Sequence, residues 1–575
     1  MIHTISVSKK CLSLFIIFTS LVIVGFNAYY LLRGYDQLLA DYLSLNDCLY
    51  RADDFSFSFF NKKTHRQGIY FSTLSLLICI SIFFLFVRKY KKKLTERDFI
   101  FQFHWKKETS IYLLLISLFS ISAWVYGFII TPPSYDEVFS AHKATSLPLF
   151  QTLSYYMLPN NHVFFNVINR ALFFWAEDKV LTGKIISLVA YISWNFVAFI
   201  AIRKLTGSAL LALIASLTLG LQLYNWGFSF QARGYEIYGC CEFISLLCLW
   251  AYSKRQQSKW LFLNTFVSII GYACLPTFMY VQAAQILFGC WLIFKSEKID
   301  FIYVKYQGYI FIGVFMFYLP ALCYSGLTAF TENPNLLPLK MSYIDFALLG
   351  LNNFPGFVEY TLSGIYLYAL LVISIVIVLF FCLPDKYGKI KDKELFMFFL
   401  FLVLMSFVMM ICMKLYPYYR NHVGHFYIGL FLGIYGLTVI INFFSRYTII
   451  KKMSLPIISL LLIGYSFIFI HRNPSHFNFH LYYCDIDFNY KKSEAIFLQI
   501  PQSSVACSDE CFYFEYLAKK AGYTVYSCGL NEADYYIINK KEKIPEDLFQ
   551  NYQLHYSTEE EMVFRRRLLA VRNAQ

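Results

Sequence analysis

Residues 131–139 read Thr-Pro-Pro-Ser-Tyr-Asp-Glu-Val-Phe, and they leave a long apolar segment with two adjacent acids, Asp136 and Glu137. A Pro-Ser pair followed by acids is typical of a helix N-terminus, because serine caps the helix and acids suit its positive end. The same carboxylates, placed at the mouth of a helical bundle, are also suited to proton transfer. We therefore treat Asp136 as a candidate catalytic base with Glu137 beside it.

The composition around this stretch is that of a membrane protein. Of the 575 residues, 58% are hydrophobic and only 15% are charged, and the mean hydropathy is +0.50. A soluble chain of this length carries more polar surface, so we predict an α-helical polytopic membrane protein. The net charge of +14 lies mostly in short loops between apolar segments, where it sets orientation, so no nucleic-acid partner is expected.

Apolar windows of about 20 residues predict about thirteen transmembrane helices. The windows lie near residues 11–32, 70–88, 109–130, 183–202, 207–225, 236–252, 259–275, 277–295, 307–325, 364–383, 395–413, 424–443 and 453–471. The first window follows Lys9 and Lys10 and has no small-residue cleavage site after it, which favours a retained anchor over a signal peptide.

Charge predicts the orientation of these helices. With the N-terminus inside, about 25 Lys and Arg residues fall in inside loops and about 13 in the longer outside loops, as the positive-inside rule requires. Two long segments then lie outside. Residues 131–182 have apolar positions at three- and four-residue steps and predict interfacial helices, whereas residues 326–363 are rich in Pro, Asn and Gly and predict an irregular loop that covers a site.

A soluble tail begins near residue 472. A strand at residues 504–508, a helix at 510–520 ended by Gly522, and strands at 523–527 and 533–539 predict a small α/β domain outside the membrane. The predicted organisation is an N-terminal extension at 1–108 with two transmembrane helices and a basic cytoplasmic loop, a transmembrane catalytic core at 109–471, and an extracytoplasmic domain at 472–575.

The tail carries the residues that bear on disulfides and metals. Its four cysteines, Cys484, Cys507, Cys511 and Cys528, allow three disulfide pairings in an oxidising compartment or remain free thiols. No His or Cys pair completes a zinc set at normal spacing. The Asp485-Ile-Asp487 pair is far in sequence from Asp136, so we expect no divalent metal and no cofactor.

Three cations lie on the same predicted face as Asp136. Arg233 follows the fifth predicted helix, and Lys414 and Arg420 lie between the eleventh and the twelfth. A carboxylate beside cations suits a reaction with a phosphate leaving group, in which the acid accepts a proton from a hydroxyl and the cations hold the phosphate oxygens. The alternative for Arg233 and Arg420 is snorkelling to the membrane interface.

Taken together, these elements resemble the GT-C class of glycosyltransferases, and within it the protein O-mannosyltransferase and lipid A aminoarabinose transferase superfamily. The motifs that carry the resemblance lie between about residues 109 and 443 and are Asp136-Glu137, Asn161-His162, the Ala-Arg-x-Tyr of Arg233 and Tyr235, and the late Arg420. Val163 follows His162 where family members usually have proline. Two apolar segments also precede the one that leads to Asp136, where family members usually have none.

The resemblance implies that a sugar is transferred, with inversion, from a polyprenyl-phosphate donor to a hydroxyl of a glycolipid, glycan or protein. The reaction would take place on the outer face of a bacterial inner membrane and would not depend on a metal. Asp136 would act as the base with Glu137 in support. Donor phosphate binding would fall to Arg233, Arg420 and Lys414, and substrate binding to His162, Tyr235, Asn161 and His422.

Two other functions remain open at this point. A transporter or lipid flippase for glycan precursors predicts charged or broken helices near the bilayer midplane together with repeat symmetry. A diphosphate-donor glycan ligase or polymerase predicts a site of Arg and His without an Asp-Glu pair.

Overall fold

The structure is a computed structural model that describes residues 2–44, 60–90, 99–104, 107–156, 161–331, 341–350, 392–414, 419–444 and most of 490–567, with short gaps inside these ranges. It is mostly helical. In chain order up to residue 444, its α-helices include α1 (Lys9–Leu32), α2 (Tyr35–Ser44), α3 (Lys62–Tyr90), α4 (Lys107–Ile130), α5 (Tyr135–Ser140), α6 (Leu149–Ser154), α7 (Val163–Leu172), α8 (Lys179–Thr206), α9 (Ala209–Gly220), α10 (Leu223–Ser229), α11 (Tyr235–Arg255), α12 (Ser258–Cys274), α13 (Met279–Ser296), α14 (Phe301–Tyr324), α15 (Thr328–Thr331), α16 (Lys393–Met413) and α17 (Val423–Phe444).

Long apolar helices make the chain an integral membrane protein. Among the described residues, six helices are long and apolar enough to cross a membrane, and the bent pair α9–α10 makes a seventh if it is counted as one span. The six are Lys62–Leu85, Glu108–Ile130, Lys179–Thr206, Pro276–Ser296, Phe301–Tyr324 and Lys393–Met413. Eleven of the predicted windows fall on helices, whereas 364–383 and most of 453–471 lie outside the described residues, so the count of thirteen stays a prediction.

The fifth predicted window, 207–225, is not one continuous helix. The chain bends by 70° between α9 and α10. The Gln222 side chain accepts a hydrogen bond from the Asn225 backbone N–H at 3.0 Å, and Asn225 Nδ2 donates to the Leu219 carbonyl at 3.2 Å. One side chain therefore caps the new helix while the other bonds to a carbonyl at the end of the old one, which stabilises the break.

The N-terminus forms a ribbon that the sequence analysis did not predict. Strand β1 (Ile2–Val7) pairs antiparallel with β2 (Phe99–His104), with Ile2 opposite His104. Helices α1 and α3 lie between the two strands in the chain. The division into an N-terminal extension, a transmembrane core and an outer domain stays a prediction.

The two segments predicted to lie outside the membrane both contain helices in their described parts. Residues 131–182 hold α5, a π-helical turn at Ala141–Thr145, α6 and α7, as the apolar spacing predicted. The expectation of an irregular loop at 326–363 is wrong for its described part, because α15 and residues 343–350 are helical. Ser342 begins the second of these helices: its Oγ accepts the Asp345 N–H at 3.1 Å and donates to the Asp345 carboxylate at 2.6 Å.

A small sheet follows the helical bundle. Its strands are β3 (Ser504–Cys507), β4 (Thr524–Ser527), β5 (Tyr535–Asn539), β6 (Tyr552–Ser557) and β7 (Glu561–Arg566), in the order β4-β3-β5-β7-β6. Helix α18 (Phe512–Lys520) connects the parallel strands β3 and β4. The first three strands and the helix were predicted, and the antiparallel pair β6–β7 was missed. Helix α18 packs against α5 in one apolar cluster, so the sheet region lies beside the Asp136 segment.

Helix α11 lies at the centre of the bundle. Phe243 of α11 contacts the Tyr427 ring of α17, with ring centroids 5.3 Å apart, and Tyr427 in turn packs on Trp194 of α8 at 4.2 Å. All three side chains are fully buried. The segments that precede α11 and α17 are therefore held at neighbouring positions at the end of the bundle where α5 lies.

Candidate active site

The Asp136 segment begins a helix that is capped in both directions. Ser134 precedes α5; its Oγ accepts from the Glu137 N–H at 3.4 Å, and its own N–H donates to Glu137 Oε2 at 2.8 Å. This reciprocal capping box satisfies two amide groups that the first helical turn leaves without partners. The helix-start interpretation of the Pro-Ser-x-acid pattern is confirmed.

Glu137 is fully buried and bound on both of its oxygens. Besides the cap, its Oε1 accepts a hydrogen bond from the Ala232 N–H at 2.7 Å and lies 3.7 Å from Lys184 Nζ, whose side chain is 2% exposed. The carboxylate therefore ties α5 to α8 and to the turn before α11. A buried charge with this many partners suits the support of the site better than contact with substrate.

Asp136 differs from its neighbour in exposure and in partners. Its side chain is 29% exposed, and its Oδ2 lies 3.2 Å from Arg420 Nη1 and 3.9 Å from Arg233 Nη2. Arg420 is 284 residues away in the chain. The fold thus brings together Asp136, Arg233 and Arg420, which the sequence placed on one face.

Arg233 is built into the protein. It is 1% exposed, and its Nη1 donates to the Asp136 carbonyl at 3.1 Å and to Ser140 Oγ of α5. Ser187 Oγ donates to the Gln231 carbonyl at 2.6 Å and fixes the turn that carries Arg233. Snorkelling to lipid headgroups is therefore wrong for Arg233, because such an arginine keeps its charged group in water.

Arg420 approaches Asp136 from another part of the bundle. It lies in a 3₁₀ turn, Tyr419–His422, directly before α17, and its side chain is 26% exposed. Arg420 and Asp136 are thus both open to solvent, whereas Arg233 forms the buried wall behind them. A ligand that enters from the solvent side meets the Asp136–Arg420 pair first.

His162 and Tyr235 lie side by side next to Arg233. Their rings pack edge to face with centroids 4.6 Å apart, and His162 Nδ1 accepts the Gly234 N–H at 3.2 Å. A Cβ at position 234 would lie 2.9 Å from His162 Nδ1, so only glycine fits there without a shift. Burial, reinforced by Arg233 and Arg420, holds the pKa of His162 well below its usual range, and the imidazole is neutral at pH 7.

The other predicted site residues have different surroundings. Asn161 Nδ2 donates to the Tyr155 carbonyl at 2.7 Å, within the scaffold of the outside segment. His422 is buried and stacks on Tyr280 with ring centroids 5.8 Å apart. Lys414 Nζ donates to the Met341 carbonyl at 2.8 Å and lies 4.0 Å from the centre of the Tyr343 ring. Binding roles for Asn161, His422 and Lys414 stay predictions.

Several residues at the site were missed by the sequence analysis. Lys184 sits in the first turns of a long apolar helix, and a lysine there is the usual sign of a helix end. Ser140 belongs to no sequence motif that would indicate a role at the site. Glu236 directly follows Tyr235 and is fully buried, and among the described residues its two oxygens have no hydrogen-bond partner. An acid one position inside an apolar helix is the one signal that points to it.

The charges of this cluster do not balance. Lys184, Arg233 and Arg420 face the carboxylates of Asp136 and Glu137, which leaves one positive charge in excess among these contacts. Two of the cations are guanidinium groups, whose forked donors match phosphate oxygens. The cluster is therefore suited to an anionic ligand with phosphate geometry.

The part of the chain that the structure describes holds no group of three His, Cys, Asp or Glu side chains that is placed to bind a metal ion. Cys484, Cys511 and Cys528 and the Asp485–Asp487 pair lie outside the described residues, as does the side chain of Cys507. Independence from metal and the state of these cysteines stay predictions.

No protein-family model matches the sequence, and no curated protein matches it. Solved structures do match. The fold is similar to the crystal structure of ArnT from Cupriavidus metallidurans bound to undecaprenyl phosphate, with a TM-score of 0.49 and 9% identity over 79% of this chain and 97% of that chain. The apo structure of the same protein matches with a TM-score of 0.49 and 9% identity over 80% of this chain and 98% of that chain. At this level the similarity leaves the functional conclusion to the site geometry.

Proposed function

We propose that this protein is a membrane glycosyltransferase that moves a sugar from a polyprenyl-phosphate donor to a hydroxyl acceptor. One observation carries the proposal: the half-buried Asp136 shares its Oδ2 between Arg233 and Arg420. These three residues lie far apart in the chain. A base and two phosphate-binding groups within about 4 Å of one atom are the components that this reaction needs.

The ion pairs explain why Asp136 becomes an effective base only when the donor is bound. Without a donor, the arginines neutralise Asp136, which makes the carboxylate a weak base. The phosphodiester of the donor brings its own negative charge and competes for the same guanidinium groups. Donor binding thereby releases Asp136 at the place where the acceptor hydroxyl must be deprotonated.

The chemical step is then a single displacement. The acceptor O–H bond breaks as its proton passes to the Asp136 carboxylate, and the acceptor oxygen forms a bond to the anomeric carbon. The bond from that carbon to the phosphate oxygen breaks on the opposite face, so the configuration inverts. The electron pair leaves with the polyprenyl phosphate, whose growing charge Arg233 and Arg420 stabilise.

The site faces the outside of a bacterial inner membrane in this proposal. The distribution of Lys and Arg supports that orientation, because the inside loops carry most of the positive charge. The sheet region beside α5 lies on the same side. A lipid-linked sugar delivered to the outer leaflet then reaches Asp136 from the membrane surface.

The bent pair α9–α10 favours a second candidate, a transporter or flippase, because broken helices mark many transport sites. In this chain α10 leads into the turn that holds Arg233 against α5. A transferase makes product in detergent, where no compartments exist, whereas a transporter makes none. A donor series with monophosphate and diphosphate carriers separates the transferase from a diphosphate-donor ligase.

The decisive experiment uses the full-length protein in detergent, polyprenyl-phosphate donors with a labelled sugar, and membrane glycolipids as acceptors. We expect Asp136→Asn to lower the transfer rate by about 10² to 10⁴-fold, since the substitution removes the general base. Asp178→Asn is the matched control: Asp178 is 24% exposed in the same outside segment, and asparagine caps a helix as well as aspartate. Full activity in Asp136→Asn would refute the mechanism.

A further inference from the structure

A cavity of about 520 Å³ lies between the N-terminal extension and the outside segment. Its walls come from the end of α1, from α2, from α6 and from the last residue of α14. Its volume lies within the range of about 300–1,000 Å³ that small-molecule sites have. Neither Asp136 nor any of its partners lines it, so it is separate from the site described above.

Aromatic rings form most of the wall. Five of the eight lining residues are Phe or Tyr, and the buried rings of Tyr42 and Tyr324 stack with centroids 4.8 Å apart. Phe26 and Phe150 pack at 6.1 Å beside them and are only half-buried. The rings of Phe26 and Phe150, fixed by these buried neighbours, are the ones that present apolar surface to a ligand at low entropic cost.

The rim of the cavity carries a balanced pair of charges. The Tyr29 hydroxyl donates to Asp41 Oδ2 at 2.6 Å, and Arg33 Nη1 donates to the same oxygen. The side chains of Arg33 and Asp41 are 43% and 38% exposed. At these exposures a carboxylate acceptor and a guanidinium donor lie side by side at the rim.

This chemistry matches an uncharged saccharide. A sugar ring has an apolar C–H face that packs on an aromatic ring, and neighbouring hydroxyls that each donate and accept. A phosphate would meet the Asp41 carboxylate as well as Arg33, and the repulsion offsets the attraction. A lipid tail needs no polar rim. The paired charges therefore favour a neutral polyhydroxyl ligand over both.

The cavity wall is joined to the helix that carries Asp136. Ser154 Oγ of α6 donates to the Tyr42 hydroxyl at 3.1 Å, and Gln151 Nε2 donates to the Tyr42 carbonyl at 2.9 Å. Thr152 Oγ1 of α6 donates to the Ala144 carbonyl, in the turn that directly follows α5, at 2.9 Å. A ligand in the cavity thus binds to the same rigid outside segment as the candidate active site.

We propose that this cavity is an acceptor subsite that binds the saccharide portion of a glycan or glycolipid. The inference rests on the proposed glycosyltransferase function and narrows its acceptor from any hydroxyl compound to a glycan. It also gives the N-terminal extension a role, because six of the eight lining residues belong to α1, to α2 or to the turn between them: Phe26, Tyr29, Arg33, Asp41, Tyr42 and Ser44.

The test is direct binding of the full-length protein in nanodiscs to a printed array of neutral, acidic and phosphorylated saccharides. Wild type binds a subset of neutral saccharides. Arg33→Ala and the isosteric Asp41→Asn weaken that binding by roughly tenfold to a hundredfold, as expected for one lost hydrogen bond to a charged group. Asp36→Asn, an exposed change on the same helix, leaves it unchanged.

Transfer kinetics give a second readout. The acceptor in this assay contains a saccharide that wild type bound on the array. With it, Arg33→Ala and Asp41→Asn raise the acceptor KM and leave kcat and the donor KM unchanged. Absence of saccharide binding, equal binding by Arg33→Ala, or selective binding of phosphorylated saccharides each overturns the proposal. The Asp136→Asn assay reports on the catalytic proposal alone, so the failure of one proposal is distinguishable from the failure of the other.

Discussion

Two acid clusters on the same pair of helices show opposite designs. At the outer cluster, Arg233 directly before α11 and Arg420 directly before α17 meet the half-buried Asp136. Deeper in the bundle, Glu242 of α11 faces His425 of α17, whose Nδ1 lies 2.7 Å from Glu242 Oε1 without the alignment of a hydrogen bond.

The difference between the clusters distinguishes a candidate ligand-binding site from a structural contact between helices. The inner cluster is sealed: Glu242 is 0% exposed, and His425 Nε2 is held at 2.7 Å from Ser406 Oγ of α16. It joins three helices and is closed to solvent. The outer cluster is open and has excess positive charge, so a ligand can exchange with its ion pairs. The inner contact joins α11 to α17, the two helices that follow Arg233 and Arg420 in the chain.

After Asp136→Asn, the largest effect is expected at Arg420. Arg420→Ala removes one cation that stabilises the leaving phosphate and lowers kcat by about 10² to 10³-fold. The unfolding temperature stays near that of wild type, because a half-exposed ion pair contributes only about 0–1 kcal/mol to stability. Arg420→Lys keeps the charge without the forked geometry and recovers part of the rate.

Lys414→Ala is the comparison for that variant, since Lys414 was predicted as a third phosphate ligand but contacts Met341 and Tyr343. Rate measurements on both variants in the same transfer assay decide its role. A loss at Lys414 that equals the loss at Arg420 would place Lys414 in the outer cluster after all.

A substitution at Gly424 is expected to disrupt the inner cluster. A Cβ at this position would lie 2.3 Å from Glu242 Oε2 and 2.9 Å from Glu242 Cβ, so the carboxylate must shift within a packed core. We expect Gly424→Ala to destabilise the fold by about 1–3 kcal/mol, measured as a lower unfolding temperature. Gly308→Ala in α14 is the control, because a Cβ there meets nothing within 4 Å.

A double variant sharpens the result. If the clash with Glu242 is the cause, Glu242→Ala and Gly424→Ala together destabilise less than the sum of the single changes, since the truncated side chain makes room. Additive effects would mean that Gly424 is needed for another reason.

The contrast between the clusters also explains how far the sequence could predict the site. Hydropathy and charge order placed Asp136, Arg233 and Arg420 on one face, because sidedness follows from counting apolar segments. The contact partners of each residue could not be predicted in this way. Glu137 and Asp136 are adjacent, yet Glu137 is buried by Lys184 and by the Ala232 N–H, contacts 47 and 95 positions away that no local pattern indicates.

The elements that were missed have local causes. The α9–α10 break depends on the side chains of Gln222 and Asn225, which an average over about 20 residues cannot register. Lys414 takes a left-handed conformation with φ 50° at the end of α16, and this determines where its side chain points. The cause is not local for the packing of α18, a predicted helix, on α5, because that packing depends on long-range aromatic contacts such as Tyr135 with Tyr513, at 6.1 Å.

Glu137→Gln tests the division of labour between the two adjacent acids. The amide has one acceptor oxygen where the carboxylate uses two, so either the Ser134 or the Ala232 N–H loses its partner, at a cost of about 1–3 kcal/mol. We expect a lower unfolding temperature and a transfer rate per folded molecule that falls far less than in Asp136→Asn. The opposite result, a stable protein without activity, would make Glu137 the base.

A further effect is a pH dependence of stability from the two buried histidines of the site region, and it develops only below pH 6.5. Burial holds the pKa of His162 and that of His422 well below about 6.5, the value each has in the unfolded chain. Below pH 6.5 the unfolded chain therefore binds more protons than the folded one, and stability falls by up to about 1.4 kcal/mol per pH unit for each histidine. Above pH 6.5 this contribution is fully present. Thermal unfolding between pH 7.5 and 5 measures the slope, and His422→Gln should remove one histidine's share of it; an unfolding temperature that is flat across this range would show that the folded protein protonates both rings.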